Sequence, residues 1–288
     1  MKPTPIEFTG AEGNRLAADL WDGRGHPVLL LHGGGQTRRA WDMTARRVAD
    51  AGMSAITVDL RGHGESDWVA SADYSFAAYG ADAAAVVRQT AQRFHAAPSA
   101  VGASLGGLSA LIAQLNHGAM LDSLVLVDIT PRMDVGGVDR IQGFMGARME
   151  EGFASLEEAA DAIALYMPHR KRPRSLDGLR KNLRLDPDGR YRWHWDPAFM
   201  TSERNINFGS KEAMESLLAK LPDLHLPVLV VRGMQSELVH EDHVREFVDL
   251  APSASCIDVG EAGHMVAGDR NDVFCDAILG FLTDKEAA

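Results

Sequence analysis

The chain has 288 residues, 45% of them hydrophobic, with a formal net charge of −11; that is enough apolar material for one large α/β domain carrying an insertion. The acidic balance argues against nucleic acid as a partner, no apolar run approaches the ~20 residues that cross a bilayer, and the stretch Met1–Pro5 lacks the apolar segment of a signal peptide. The two cysteines, Cys256 and Cys275, lie far from any motif and read as buried thiols of a reduced, cytoplasmic compartment.

In chain order, Ile6–Thr9 and Leu16–Trp21 read as a hairpin at a sheet edge. Val28–Leu31 is a continuous apolar run, as strands buried on both faces require, and it exits into His32-Gly33-Gly34-Gly35. Trp41–Ala51 has the pattern of an amphipathic helix stopped by Gly52. Ala55–Val58 is a second buried strand, running into Asp59-Leu60-Arg61-Gly62-His63-Gly64, and Phe76–Gln92 is an Ala-rich helix. Pro98–Val101 is a short strand and Leu108–Leu115 is helical, with Gly102-Ala103-Ser104-Leu105-Gly106 between them. Leu124–Val127 is a further strand, ending at Asp128. Val228–Val231 is closed by Gly233, Ser255–Val259 is the last strand, and Val273–Leu282 the last helix. Strands that alternate with helices imply parallel pairing and right-handed crossovers.

Residues 131–222 break this rhythm. They hold helical stretches such as Leu156–Tyr166, an aromatic patch Tyr191–Trp195, and no convincing apolar strand. The expected division is a core of 1–130 and 223–288 with a helical cap, 131–222, over the carboxyl edge of the sheet, where open α/β sheets bind ligands. The cap carries 15 Lys/Arg against 14 Asp/Glu, but within it residues 168–192 carry 9 against 3.

Gly-x-Ser-x-Gly between a strand and a helix is the signature of a nucleophile elbow, a sharp strained turn that exposes the serine oxygen. A serine hydroxyl is a poor nucleophile at neutral pH and needs a base, itself oriented by an acid. His264, in Gly260-Glu261-Ala262-Gly263-His264-Met265, follows a strand and precedes the last helix, so it falls on a loop at the same edge as Ser104. Asp128 closes the strand after the elbow and can reach that histidine. Two backbone N–H groups are needed for the oxyanion; the expected donors are Leu105, after the nucleophile, and Gly34 of the His-Gly-Gly-Gly loop.

These residues together resemble the α/β-hydrolase superfamily, over the whole chain except the cap. Within it the sequence is similar to the cap-bearing, cofactor-free group of esterases, lactonases and carbon–carbon bond hydrolases. The resemblance implies a mostly parallel, predominantly eight-stranded sheet with helices on both faces, the chain order nucleophile, acid, histidine, no cofactor and no metal. In many proteins of this fold the acid stands three residues after a Gly that closes the next-to-last strand. Here that slot holds Ser236, with Glu237 one residue late, so Asp128 is the preferred acid and Glu237 the alternative. The Asp59–Gly64 segment also resembles epoxide hydrolases and haloalkane dehalogenases, but those use an aspartate where Ser104 stands; His63 is expected to brace loops.

The expected activity is hydrolysis of a small ester, lactone or related acyl bond through an acyl-enzyme. The expected partner is a small-molecule acyl substrate, with neither nucleic acid nor membrane; the oligomeric state, a homodimer included, stays open. The alternatives are cofactor-free dioxygenase chemistry on the histidine–acid pair and a ligand receptor on the same fold. Trp193 and Trp195 are candidate substrate-binding residues or cap core. The basic stretch His169–Arg174 reads as a solvated face or an anion-recruiting patch. His240 and His243 have helical spacing, but the segment reads as the polar first turn of a helix.

Overall fold

A computed structural model describes residues 2–118, 120–167, 175–269 and 271–283. Its strands are β1 (Thr4–Thr9), β2 (Arg15–Trp21), β3 (Pro27–Leu31), β4 (Ser54–Val58), β5 (Ser99–Ala103), β6 (Leu124–Val127), β7 (Leu183–Leu185), β8 (Tyr191–Trp193), β9 (Val228–Gly233) and β10 (Ala254–Val259). Its α-helices are α1 (Asp42–Asp50), α2 (Phe76–Phe94), α3 (Leu105–His117), α4 (Val135–Gly146), α5 (Leu156–Tyr166), α6 (Ala198–Thr201), α7 (Ser210–Lys220), α8 (Glu241–Leu250), α9 (Val266–Asp269) and α10 (Asn271–Thr283).

Eight strands form one sheet in the order β1-β2-β4-β3-β5-β6-β9-β10. β2 pairs antiparallel with β1 and β4, and every other pair is parallel. The continuous apolar runs sit in the middle because both faces of those strands are covered. Along β3, Leu29 and Leu31 join one apolar cluster, with α2 and α3, while Val28 and Leu30 join the other, with α1 and α10. β6 divides the same way, Leu124 and Leu126 against Val125 and Val127. The Ala-rich face of α2 lets it lie close on α3; a Cβ on Gly80 would come within 2.1 Å of the Ile112 side chain. Among the described residues no helix is long and apolar enough to cross a membrane.

Between β6 and β9 the chain leaves the sheet and forms α4 to α7. It also forms a two-stranded antiparallel hairpin, β7–β8, which the sequence did not lead us to expect. Each of its strands has only three residues, and one of them is the aromatic patch, so neither shows an apolar run. One cysteine also differs from expectation: Cys275 is buried, but Cys256 is exposed. Cys256 sits on β10, an edge strand whose residues 255–257 carry no cover.

Candidate active site

The elbow forms where β5 meets α3. Ser104 has φ 46° and ψ −114°, a conformation that costs a non-glycine residue on the order of 1–3 kcal/mol and persists only where the surroundings impose it. The surroundings here are backbone. A Cβ on Gly102 would lie 2.4 Å from the Gly107 nitrogen, and one on Gly106 would lie 2.3 Å from the Leu31 carbonyl oxygen. Both flanking positions therefore need glycine, Gly102 for the turn to close on the start of α3 and Gly106 for it to pack against β3. Ser104 N–H donates to the Val127 carbonyl (3.2 Å), which ties the elbow to the end of the neighbouring strand.

Asp128 follows directly from β6 and is also in a left-handed conformation, φ 49°. Its side chain is fully buried. Oδ1 accepts from the Gly233 N–H (2.9 Å). Oδ2 accepts from the Ser236 hydroxyl (2.5 Å) and from Nδ1 of His264 (2.8 Å). A carboxylate on Nδ1 holds that nitrogen as the donor and leaves Nε2 as the free, basic one. Ser236 is itself fixed, because its oxygen accepts from Leu238 N–H and Val239 N–H (3.1 Å each). Glu237 has a different partner: its carboxylate accepts from the Tyr166 hydroxyl (3.3 Å). No bond joins it to His264 among the described residues.

The glycine loop after β3 is held by two neutral histidines. His32 Nδ1 donates to the Gly33 carbonyl (2.8 Å) and its Nε2 accepts from Leu60 N–H (3.0 Å). His63 Nδ1 donates to the Arg61 carbonyl (2.9 Å) and its Nε2 accepts from Gly35 N–H (3.1 Å). Burial pushes His32 down to about 4 and His63 down to about 3, so both stay neutral and both can accept. Gly33 N–H is taken by the Gln36 side chain (3.0 Å). Of the three glycine amides, only that of Gly34 has no acceptor among the described residues. A Cβ on Gly33 would lie 3.5 Å from the Ser104 Cβ, and one on Gly34 would lie 3.9 Å from the Leu105 side chain, so this loop faces the elbow.

Ser104, His264, Gly34 and Leu105 line one cavity of about 1550 Å³, together with Trp193, Trp195 and Glu237. The opposite wall comes from the segment between β6 and β9, with Phe144 edge-on to Trp193 (5.7 Å) and Trp195 edge-on to Phe199 (5.7 Å). His63, expected to brace loops, does so through the Gly35 N–H. Sequence reasoning missed two other supports: Ser236 was visible only as a missing acid, and Gln36 has no local signal. Asp59 anchors the preceding loop, accepting from Arg38 N–H (2.5 Å) and from the Arg38 guanidinium. His240 and His243 cap α8, His240 N–H donating to His243 Nδ1 (3.2 Å). Among the described residues no group of three or more His, Cys, Asp or Glu gathers as a metal site. The basic stretch 169–174 lies outside the described residues.

The model of the alpha/beta hydrolase family matches residues 28–277. Esterase Rv0045c of Mycobacterium tuberculosis is 29% identical over 294 residues, spanning 98% of this chain and 91% of that protein. The 2-(acetamidomethylene)succinate hydrolase of Mesorhizobium japonicum is 28% identical over 263 residues, 90% of this chain and 89% of that one. Among solved structures, the M. tuberculosis esterase Rv0045c superposes with a TM-score of 0.73 at 26% identity, covering 98% of this chain and 93% of that chain. An E-2-(acetamidomethylene)succinate hydrolase superposes with a TM-score of 0.80 over 98% and 99% of the two chains; at 24% identity this is a likeness of fold.

Proposed function

The chain belongs to the alpha/beta hydrolase family and is a hydrolase; from that premise we propose that it is a serine hydrolase of esters, lactones or related acyl compounds, with Ser104, His264 and Asp128 as its triad. The observation that carries the proposal is the hydrogen bond from His264 to the buried Asp128 (2.8 Å), beside a cavity that Ser104 also lines. An acid on Nδ1 makes Nε2 the base, and the strained elbow presents a hydroxyl for it to deprotonate.

In this reading Ser104 Oγ attacks the acyl carbonyl while His264 Nε2 takes its proton. The carbonyl oxygen, now an anion, accepts from the N–H groups of Gly34 and Leu105, each worth a few kcal/mol in the transition state. The imidazolium then gives its proton to the leaving group. Water, deprotonated by His264, attacks the acyl-enzyme, and collapse of the second tetrahedral intermediate returns the proton to Ser104. The described residues of 131–222 act as the cap that closes the cavity and sets the acyl group it admits. An acyl substrate is supported by the relatives, one named an esterase and the other a hydrolase of an acetamido compound.

The test is intact-mass spectrometry after a fluorophosphonate probe, with wild type beside Ser104→Ala. A single adduct on wild type and none on the variant is the expected result. In a serine hydrolase the same substitution lowers kcat by on the order of 10^6-fold. An unlabelled wild type, or a Ser104→Ala enzyme that keeps its turnover, would reject the acyl-enzyme and turn attention to chemistry on the histidine–acid pair alone.

A further inference from the structure

Trp193 and Trp195 are two residues apart and both line the cavity, but their indole nitrogens differ. That of Trp193 is fully covered and has no partner. That of Trp195 also has no acceptor among the described residues, yet it is not sealed in the same way, although the residue as a whole is only 2% exposed. It sits against the glycine loop, 3.7 Å from where a Cβ on Gly35 would be, and Gly35 itself needs φ +77°. Gly35 adjoins Gly34, whose N–H is the proposed oxyanion donor, and consecutive Cα atoms are only about 3.8 Å apart.

Trp195 is also held still. It pairs with His63 in an isolated antiparallel bridge. On either side of it, Gly64 N–H donates to the His194 carbonyl and Asp196 N–H donates to the Gly62 carbonyl (2.8 Å each). The Tyr74 hydroxyl donates to the Asp196 carboxylate (2.5 Å). The segment is thus fastened to the same turn that carries the brace on Gly35. The indole N–H groups of Trp21, Trp41 and Trp193 are covered and unpartnered; that of Trp195, unpartnered but not covered and fixed beside the glycine loop, is the one a substrate atom can reach.

We infer that the Trp195 indole N–H binds the substrate, and that it selects acyl groups carrying an oxygen acceptor, a keto, ether or carboxylate oxygen, within a few bonds of the scissile carbonyl. The inference rests on the serine-hydrolase reading for its kinetic test but not for its binding test. A purely alkyl acyl group would leave the N–H unpaired once water is expelled, and sites built around a hydrogen bond discriminate against analogues that lack it.

The kinetic test compares kcat/KM for phenyl pentanoate with two near-isosteres, phenyl 3-methoxypropanoate and monophenyl glutarate, in wild type, Trp195→Phe and Trp193→Phe. In Trp195→Phe the preference over pentanoate is to fall about tenfold for the methoxy ester, the worth of one neutral hydrogen bond, and by at least as much for the glutarate, whose acceptor is ionised. In Trp193→Phe, whose N–H is covered, that ratio is to stay where it was. An equal loss on all three esters in Trp195→Phe would make Trp195 a packing residue and overturn the inference. The binding test needs no turnover. With 15N-labelled indoles, the N–H signal missing from Trp195→Phe is to shift when glutarate or 3-methoxypropanoate is added to wild type, and to shift little with pentanoate. The same response to all three acids would reject a selective donor, whatever the fate of the acyl-enzyme. If no ester is turned over and Ser104 does not label, while the indole still responds selectively, the hydrolase reading fails and the binding site stands.

Discussion

Asp128, His264 and the glycine loop, on the core side of the cavity, are held by hydrogen bonds that run back into the sheet and its loops. The facing wall, drawn from residues 131–222, lines the cavity with Phe144, Met145, Trp193, Trp195 and Phe199, whose rings pack edge-on against one another. Directional bonds to buried groups fix a side chain to tenths of an ångström, and losing one leaves its partner unsatisfied. Apolar contacts tolerate a change of shape at lower cost. One wall therefore suits chemistry, whose geometry cannot vary, and the other suits selectivity, which can drift while the reaction is kept.

The sharpest way to break that division is at the buried carboxylate. Asp128→Asn is expected to lower turnover on the order of 10^4-fold, by turning Nδ1 of His264 into an acceptor and spoiling the base. Glu237→Gln, which removes a charge but leaves an amide oxygen to accept from Tyr166, should cost far less. Steady-state kcat for the two variants decides; the reverse ranking would move the acid to Glu237.

A smaller effect is expected at the brace. His63→Leu keeps bulk but deletes the acceptor for Gly35 N–H, so the loop that presents Gly34 is freed. Displacing one oxyanion donor should lower kcat by roughly 10- to 100-fold, somewhat less than deleting it. KM for a short ester should change little, and His63→Gln, which restores an acceptor, should recover part of the loss. A change confined to KM would mean that the loop does not shape the oxyanion site.

The mildest effect is on stability rather than rate. His32 and His63 are held below their unfolded value, near 6.5, so the unfolded chain binds more protons than the folded one as the medium is acidified. Their contribution is intact above about pH 6.5. It is lost on going down toward about 4 for His32 and about 3 for His63, at up to roughly 1.4 kcal/mol per histidine per pH unit. Urea midpoints at pH 7 and pH 5 should differ accordingly, and equal midpoints would show that the pair can be protonated in place.

The core was legible in the sequence because a strand buried on both faces must be apolar throughout, and Val28–Leu31 and Leu124–Val127 are. The elbow was legible because backbone packs where Cβ atoms would otherwise go, which leaves no residue but glycine at 102 and 106. The hairpin of the insert was hidden, since three-residue strands such as Leu183–Leu185 are too short for any period to show. That His63 braces loops was legible from the Asp59–Gly64 segment, but which amide it holds was not: Gly35 and His63 are 28 residues apart and meet through one tautomer of one ring, which no local pattern encodes. Cys256 was misjudged because edge position is a property of the sheet, not of the strand's own residues.

Ser236 occupies the position that carries the acid in many proteins of this fold, and its hydroxyl donates to the same Asp128 oxygen that receives His264. In evolutionary terms, the two sites are alternative addresses for a single charge on neighbouring strands. Whichever holds the carboxylate, the other can hold a hydroxyl that supports it. A lineage could carry its acid from one strand to the other in two substitutions, with the imidazole never left facing an empty slot for longer than one of them.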